Sequence, residues 1–309
     1  MNKSAILSLL ILGLGGTVGC SKVGPLAPAP AAAVVAPPPA FVAFSQTVGD
    51  PMGIAADASG NLFVADSGAN QIREYSANGT FITQWGQSGT TDNSGFFYQV
   101  FSLAMDSTNH LFVADAGRNQ VMKYSSDGVL QGQWGQGGNG VGQIYYPFGV
   151  TVDKNDTIYL ADSWNARVQK LAVGQTAFTQ VTPAGLFQKP VGIALDGQGN
   201  IFVTDYDADL MVKYNEGTGV STVIGAPGSG PGQFQTPTQV VVDATGNLYV
   251  VDYHNNRVQM LTSSGTYVNE WGTSGPSDQL LLHPVGAVIS GGYLCVTDSG
   301  NHRIVKYKL

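Results

Sequence analysis

Leu248-Tyr249-Val250-Val251-Asp252 decides the fold, because it recurs. The same short apolar run, closed by an aspartate, returns as Leu62-Phe63-Val64-Ala65-Asp66, Leu111-Phe112-Val113-Ala114-Asp115, Ile158-Tyr159-Leu160-Ala161-Asp162, Ile201-Phe202-Val203-Thr204-Asp205 and Leu294-Cys295-Val296-Thr297-Asp298. The six aspartates stand 49, 47, 43, 47 and 46 residues apart. A period of this size, built of short strands and Gly-containing turns, belongs to a propeller blade. The expected fold is therefore all-β, a six-bladed β-propeller.

Around Asp252 the fifth copy reads as four strands. Gln239 to Asp243 is strand a, Leu248 to Val251 strand b, Arg257 to Leu261 strand c and Tyr267 to Trp271 strand d. β-Branched and aromatic runs bounded by Gly, Asn, Asp and Ser give this division. The turn between strands a and b ends on Gly60, Asn109, Asp156, Gly199, Gly246 and Gly292 in the six copies. These residue types tolerate positive φ, as a type I turn with a following left-handed residue requires. Strands a and b are apolar on both faces, as expected for a blade packed between two others.

The sixth copy stops after strand c, at Ile304 to Leu309. Phe41 to Gly49 has the pattern of a strand d, like Phe81-Ile82-Thr83-Gln84-Trp85-Gly86. The N-terminal strand is thus expected to complete the last blade and remove its exposed edge.

Ahead of this body, residues 1–20 read as a signal peptide, with Lys3 before an apolar stretch from Ala5 to Leu14. Thr17-Val18-Gly19-Cys20 resembles a bacterial lipobox, with Thr17 where that family usually has Leu. The resemblance implies lipidation of Cys20 and, with Ser21 next, sorting to the outer membrane. Residues 21–40 form a Pro/Ala-rich linker; Val23 to Ala40 holds six prolines and seven alanines. The expected layout is signal peptide 1–20, linker 21–40 and propeller 41–309, an exported monomer held to the cell envelope by lipid alone, or periplasmic or extracellular if Cys20 is not lipidated.

The formal charge is -7, only 11% of residues are charged, and there are 41 glycines. Nucleic-acid binding needs clustered Lys and Arg, so that class is excluded. With Cys20 lipidated, Cys295 is the remaining thiol, and no intramolecular disulfide can form. Cys295 takes the place of Phe63, Phe112, Tyr159, Phe202 and Tyr249, which marks it as a buried small hydrophobe.

The pattern resembles the NHL repeat from about Phe41 to Leu309. The likeness is most literal at Pro284-Val285-Gly286 with Val296-Thr297-Asp298-Ser299-Gly300-Asn301-His302-Arg303-Ile304, and is clear at Pro51-Met52-Gly53-Ile54 with Asp57, Gly60 and Asn61. Copy four lacks the Asn and Arg, and copy two has Gln99 at the proline position. The resemblance implies an NHL-type propeller and leaves the activity open. Similar propellers include peptidyl-amide lyases with zinc and gluconolactonase-like enzymes with calcium; neither catalytic set maps onto this sequence.

Strand parity puts the b–c and d–a loops on one face, around the mouth of the central channel. An aspartate repeated in every blade is expected to accept backbone N–H bonds rather than to bind metal. A functional site should instead break the symmetry. The b–c loops of copies three to five carry Trp164, then Tyr206, Asp207 and Asp209, then Tyr253 and His254. Copies one, two and six have Ser67-Gly68, Ala116-Gly117 and Ser299-Gly300 there. Before strand a stand Asp50, Tyr98, Tyr146, Lys189, Thr236 and His283. Trp164, Tyr206, Asp207, Asp209, Tyr253, His254, Tyr146, Lys189 and His283 thus form the expected ligand-binding patch, suited to a peptide, glycan or protein partner and needing no cofactor. The alternative is a metal-assisted lyase or lactonase using His254, His283, Asp207 and Asp209, with calcium or zinc in the central channel. A third possibility is a structural envelope protein with no small ligand.

Overall fold

The computed structural model describes residues 41–44, 48–88, 96–273 and 279–309. The expected signal peptide, Cys20 and the linker lie outside them.

Six antiparallel sheets of four strands make the body, and a pair of short parallel strands, Gln87–Ser88 and Phe96–Phe97, lies apart from them. Strand a, the innermost, is Pro51–Ala56, Val100–Met105, Pro147–Val152, Pro190–Leu195, Pro237–Val242 and Pro284–Ser290 in blades 1 to 6. Strand b follows at Leu62–Asp66, Leu111–Asp115, Ile158–Asp162, Asn200–Asp205, Leu248–Asp252 and Tyr293–Asp298. Strand c is Gln71–Tyr75, Gln120–Tyr124, Arg167–Leu171, Leu210–Asn215, Arg257–Leu261 and Arg303–Lys308. The outer strand d is Phe81–Trp85, Leu130–Trp134, Thr179–Gln180, Ser221–Ile224 and Tyr267–Trp271 in blades 1 to 5.

Blade 6 takes its outer strand from the start of the body. Phe41–Phe44 pairs antiparallel with Arg303–Lys308, Phe41 opposite Tyr307 and Phe44 opposite Ile304. The ring thereby closes as the sequence suggested, with the pairing described over Phe41–Phe44. Thr297 adds a second link at this seam: its hydroxyl accepts the Gly286 N–H and donates to the Met52 carbonyl, both at 2.7 Å.

All six a–b turns end in positive φ, from Asp156 at 60° to Gly246 at 88°. Asn109 and Asp156 hold the place where four copies have glycine, as their short polar side chains allow. These turns define the lower face; the b–c and d–a loops define the upper one.

Packing follows the repeat. Six apolar clusters form, one at each blade–blade contact. Phe63 and Phe202 are fully buried in this way, each contributing about 1.5–3 kcal/mol. Cys295 is buried against blade 1, and burial pushes its thiol up to about 11, out of nucleophile range. Near the axis the strands a touch. A β-carbon on Gly149 would lie 2.0 Å from the Val191 carbonyl, and one on Gly286 would lie 2.4 Å from that of Met52. Only glycine permits this approach.

The register corrects one alignment. Val100 faces Asp115 as Pro51 faces Asp66 and Pro147 faces Asp162. Val100, not Gln99, therefore replaces the proline in blade 2, and the counterpart of Tyr146 is Gln99, not Tyr98.

Candidate functional site

The six repeat aspartates are built into the backbone rather than presented to a ligand. Asp66, Asp115 and Asp205 each accept two N–H groups from the residues entering strand a and one from their own b–c loop. Asp162, Asp252 and Asp298 accept one such entering N–H and are completed by side chains. In blade 5 these are Asn255, Arg257 and Gln259, and Arg257 also donates to the carbonyls of Gly230 and Gln233 in the d–a loop. Each aspartate is buried to within 1%. Burial raises the carboxyl pKa of Asp115 and Asp252 against the pull of these bonds.

A second regular device joins neighbouring blades. The b–c loop ends in a left-handed residue in every blade: Asn70, Asn119, Ala166, Asp209, Asn256 and His302. Asn119 accepts the Tyr146 N–H at 2.6 Å, Asp209 that of Thr236 at 2.6 Å, and Asn256 that of His283 at 2.8 Å. Asp209 is therefore occupied in holding blade 5, in the place that asparagine takes in blades 1, 2 and 5. Tyr146, Thr236 and His283 themselves stand at φ of 54°, 50° and 50°. Such strain in non-glycine residues gathers at ligand sites, and here the neighbouring blade enforces it.

On this frame the irregular residues form two connected groups. The first runs across blades 2 to 4. Trp164 is 54% exposed, stacks on Tyr146 with centroids 4.8 Å apart, and meets the edge of Tyr145 at 5.1 Å. Tyr146 packs in turn on Phe148 (5.8 Å) and Phe101 (6.1 Å), which lie face to face at 4.2 Å. The Tyr146 hydroxyl donates to Gln99. The Lys189 ammonium sits 5.8 Å from the Phe148 ring and 4.5 Å over Tyr206. The second group belongs to blades 5 and 6. Tyr253 stacks on His283 and meets the edge of His254, both at 4.8 Å, and His254 Nδ1 lies 2.6 Å from the Thr236 hydroxyl. Tyr206 connects the groups electrically: burial raises its phenol pKa, and Tyr253, Asp207 and Asp209 add to the rise. Asp207 is exposed on the same loop.

Sequence reasoning missed Phe101, Phe148 and Tyr145. Phe101 and Phe148 hold the second position of strand a, where the other blades have Met52, Val191, Thr238 and Val285. Two aromatics in adjacent copies of one column were the available signal; they pass for core residues until the strand is known to reach the mouth. With Tyr206 they narrow the upper channel to a cavity of about 40 Å³. The channel widens at the lower face to about 290 Å³, lined there by aliphatic ends of the strands a such as Met105, Val152 and Leu195.

Among the described residues no three His, Cys, Asp or Glu side chains converge as metal ligands. Of the donors named from sequence, Asp209 accepts the Thr236 N–H, and the His254 and His283 rings lie 6.1 Å apart, centroid to centroid.

The NHL repeat family model matches residues 145–171, 234–260 and 281–307. These segments belong to blades 3, 5 and 6, where Asn165 and Arg167, Asn255 and Arg257, and Asn301 and Arg303 grip the aspartate. The body is thus a six-bladed propeller carrying NHL repeats. Among solved structures it resembles a gluconolactonase from Xanthomonas campestris, with 15% identity, 87% of this chain and 89% of that one covered, and a TM-score of 0.67. A catalytically inactive virginiamycin B lyase from Staphylococcus aureus, solved with quinupristin, aligns at 14% identity over 87% of this chain and 98% of that one, with a TM-score of 0.61. A chain of a nidogen/laminin complex aligns at 17% identity over 77% and 84%, with a TM-score of 0.60. At these identities the likeness is one of fold.

Proposed function

We propose that this chain is a non-catalytic binding module of the bacterial cell envelope, exported, lipid-anchored through Cys20 and monomeric, with the upper face as its binding surface. The partner is a protein, peptide or glycan, and no nucleic acid or cofactor takes part. The observation that carries this reading is the continuous contact from Trp164 through Tyr146 and Phe148 to Lys189 and Tyr206. Its rings are rigidly backed and part-exposed, the combination that gives contact area at low entropic cost. The nidogen/laminin propeller supports a binding role for such a scaffold; the lyase and the gluconolactonase support the alternative of catalysis.

Capture from envelope extracts with the full chain tests this. The double variant Trp164→Ala, Tyr206→Ala should lose the wild-type set of captured molecules while keeping its melting temperature. Unchanged capture by that variant would overturn the reading. Stoichiometric zinc or calcium in the purified protein, lost on His254→Ala, would turn it toward the lyase or lactonase alternative.

A further inference from the structure

Lys189 differs from the other cations of the body. All five arginines, at positions 73, 118, 167, 257 and 303, are paired with repeat aspartates. The other lysines of the described residues lie on strands c or, for Lys154, on a lower-face turn. Lys189 stands at the upper mouth, half-buried against Tyr206 and Phe148, and makes no ion pair with any described residue. An ammonium partly stripped of water and lacking a counter-ion attracts an anion more strongly than one in bulk solvent.

We infer that the mouth takes an acidic oligosaccharide, one sugar lying on the Trp164 face and a uronate-type carboxylate meeting the Lys189 ammonium. This rests on the upper face being the binding surface. Trp164 offers a flat, exposed indole fixed from behind by Tyr146 and at its edge by Tyr145. The apolar C–H face of a sugar ring stacks on such a surface. Three successive contacts, of 4.8, 5.8 and 5.8 Å, link the indole to the ammonium, a span that an oligosaccharide can cover. A peptide fits less well. Two common modes of peptide recognition use an added strand or an apolar side-chain pocket. The cavity at the mouth is narrow, about 40 Å³, and walled by Phe101, Phe148 and Tyr206. The innermost strands approach so closely at Gly149 that no strand can be added between them. Asp207, exposed beside Tyr206, works against an acidic ligand and sets an upper bound on its charge density.

Calorimetric titration of the full chain with trigalacturonate and with its methyl ester separates the two contributions. The acid should bind at least about tenfold more tightly than the ester, the worth of one charge-assisted contact. Lys189→Met, which keeps the aliphatic stem, should abolish that preference, bringing the acid down to the affinity of the ester. Trp164→Ala should weaken both sugars, and Asp207→Asn should tighten the acid a few-fold. Equal affinity of the wild type for acid and ester overturns the inference, while weaker binding of both by Trp164→Ala would still uphold the binding surface. No binding of either sugar by protein with an intact melting curve also overturns it, and the upper face then stands or falls on the capture experiment alone.

Discussion

Blades 4 and 5 solve one problem in two ways. Both must hold a buried aspartate at the end of strand b. Asp252 of blade 5 does so with one backbone N–H and three side chains, Asn255, Arg257 and Gln259. Asp205 of blade 4 uses three backbone N–H groups, those of Gln188, Lys189 and Ala208. The cation is therefore not needed to hold the carboxylate. Its further work is on the d–a loop: Arg257 ties down the carbonyls of Gly230 and Gln233, and Asn255 that of Gly228. The connection into blade 4 is short: Asp205 stands 43 positions after Asp162, whereas Asp252 stands 47 after Asp205. With no long loop to fasten, positions 206 to 210 are relieved of the repeat's Asn and Arg, and Tyr206 and Asp207 reach the mouth.

This contrast can be broken. Asp252→Ala should cost about 2–4 kcal/mol in urea unfolding, because it strands Asn255 and Gln259 and takes from the buried Arg257 one of its two carboxylates, Glu270 remaining. Asp205→Ala should cost less, about 1–3 kcal/mol, since the N–H groups it strands are part-buried and within reach of water. Equal costs would refute the distinction. The lower face sharpens it. Burial opposes ionisation of Asp106, but Lys123, His110 and Thr108 outweigh it and bring the carboxyl down to about 2. A depressed carboxyl stabilises the fold above its unfolded value of about 4 and loses that contribution as pH falls toward its folded one. Asp106→Asn should therefore lower stability at pH 6 and flatten its decline between about pH 4 and 2, as followed by melting temperature. The smallest effect is expected from writing the repeat back into blade 4. Ala208→Asn with Leu210→Arg should shift stability by no more than about 0.5 kcal/mol, because the short loop offers the new groups no run of carbonyls. A clear gain would mean that the pair acts on the aspartate alone.

Blade number, the positive-φ turns and the closing strand were legible because each rests on local chemistry repeated six times. Asp156 and Asn109 could be assigned from what their side chains tolerate, with no knowledge of neighbours. The mouth was legible in part. Trp164, Tyr146, Lys189 and Tyr206 stood out as departures from a loop pattern, and they do touch. Phe101 and Phe148 did not stand out, because an aromatic in an innermost strand satisfies the expectation of a core. The one-residue error in blade 2 arose because Val100 gives no proline to align on, and only pairing with Asp115 fixes its place. Asp209 looked like a free acid because its partner, the Thr236 N–H, belongs to the next blade.

The seam also fixes where the polypeptide joins the ring. Phe41 lies opposite Tyr307, toward the a–b turns, and the Leu309 N–H bonds to the Gly292 carbonyl within such a turn. Both ends of the body therefore emerge on the lower side, with the thickness of the disc between them and Trp164. A tag or a bead fused directly at Phe41 or at Leu309 therefore leaves the body on the side opposite Trp164. Immobilisation through either end leaves the aromatic side turned to solution.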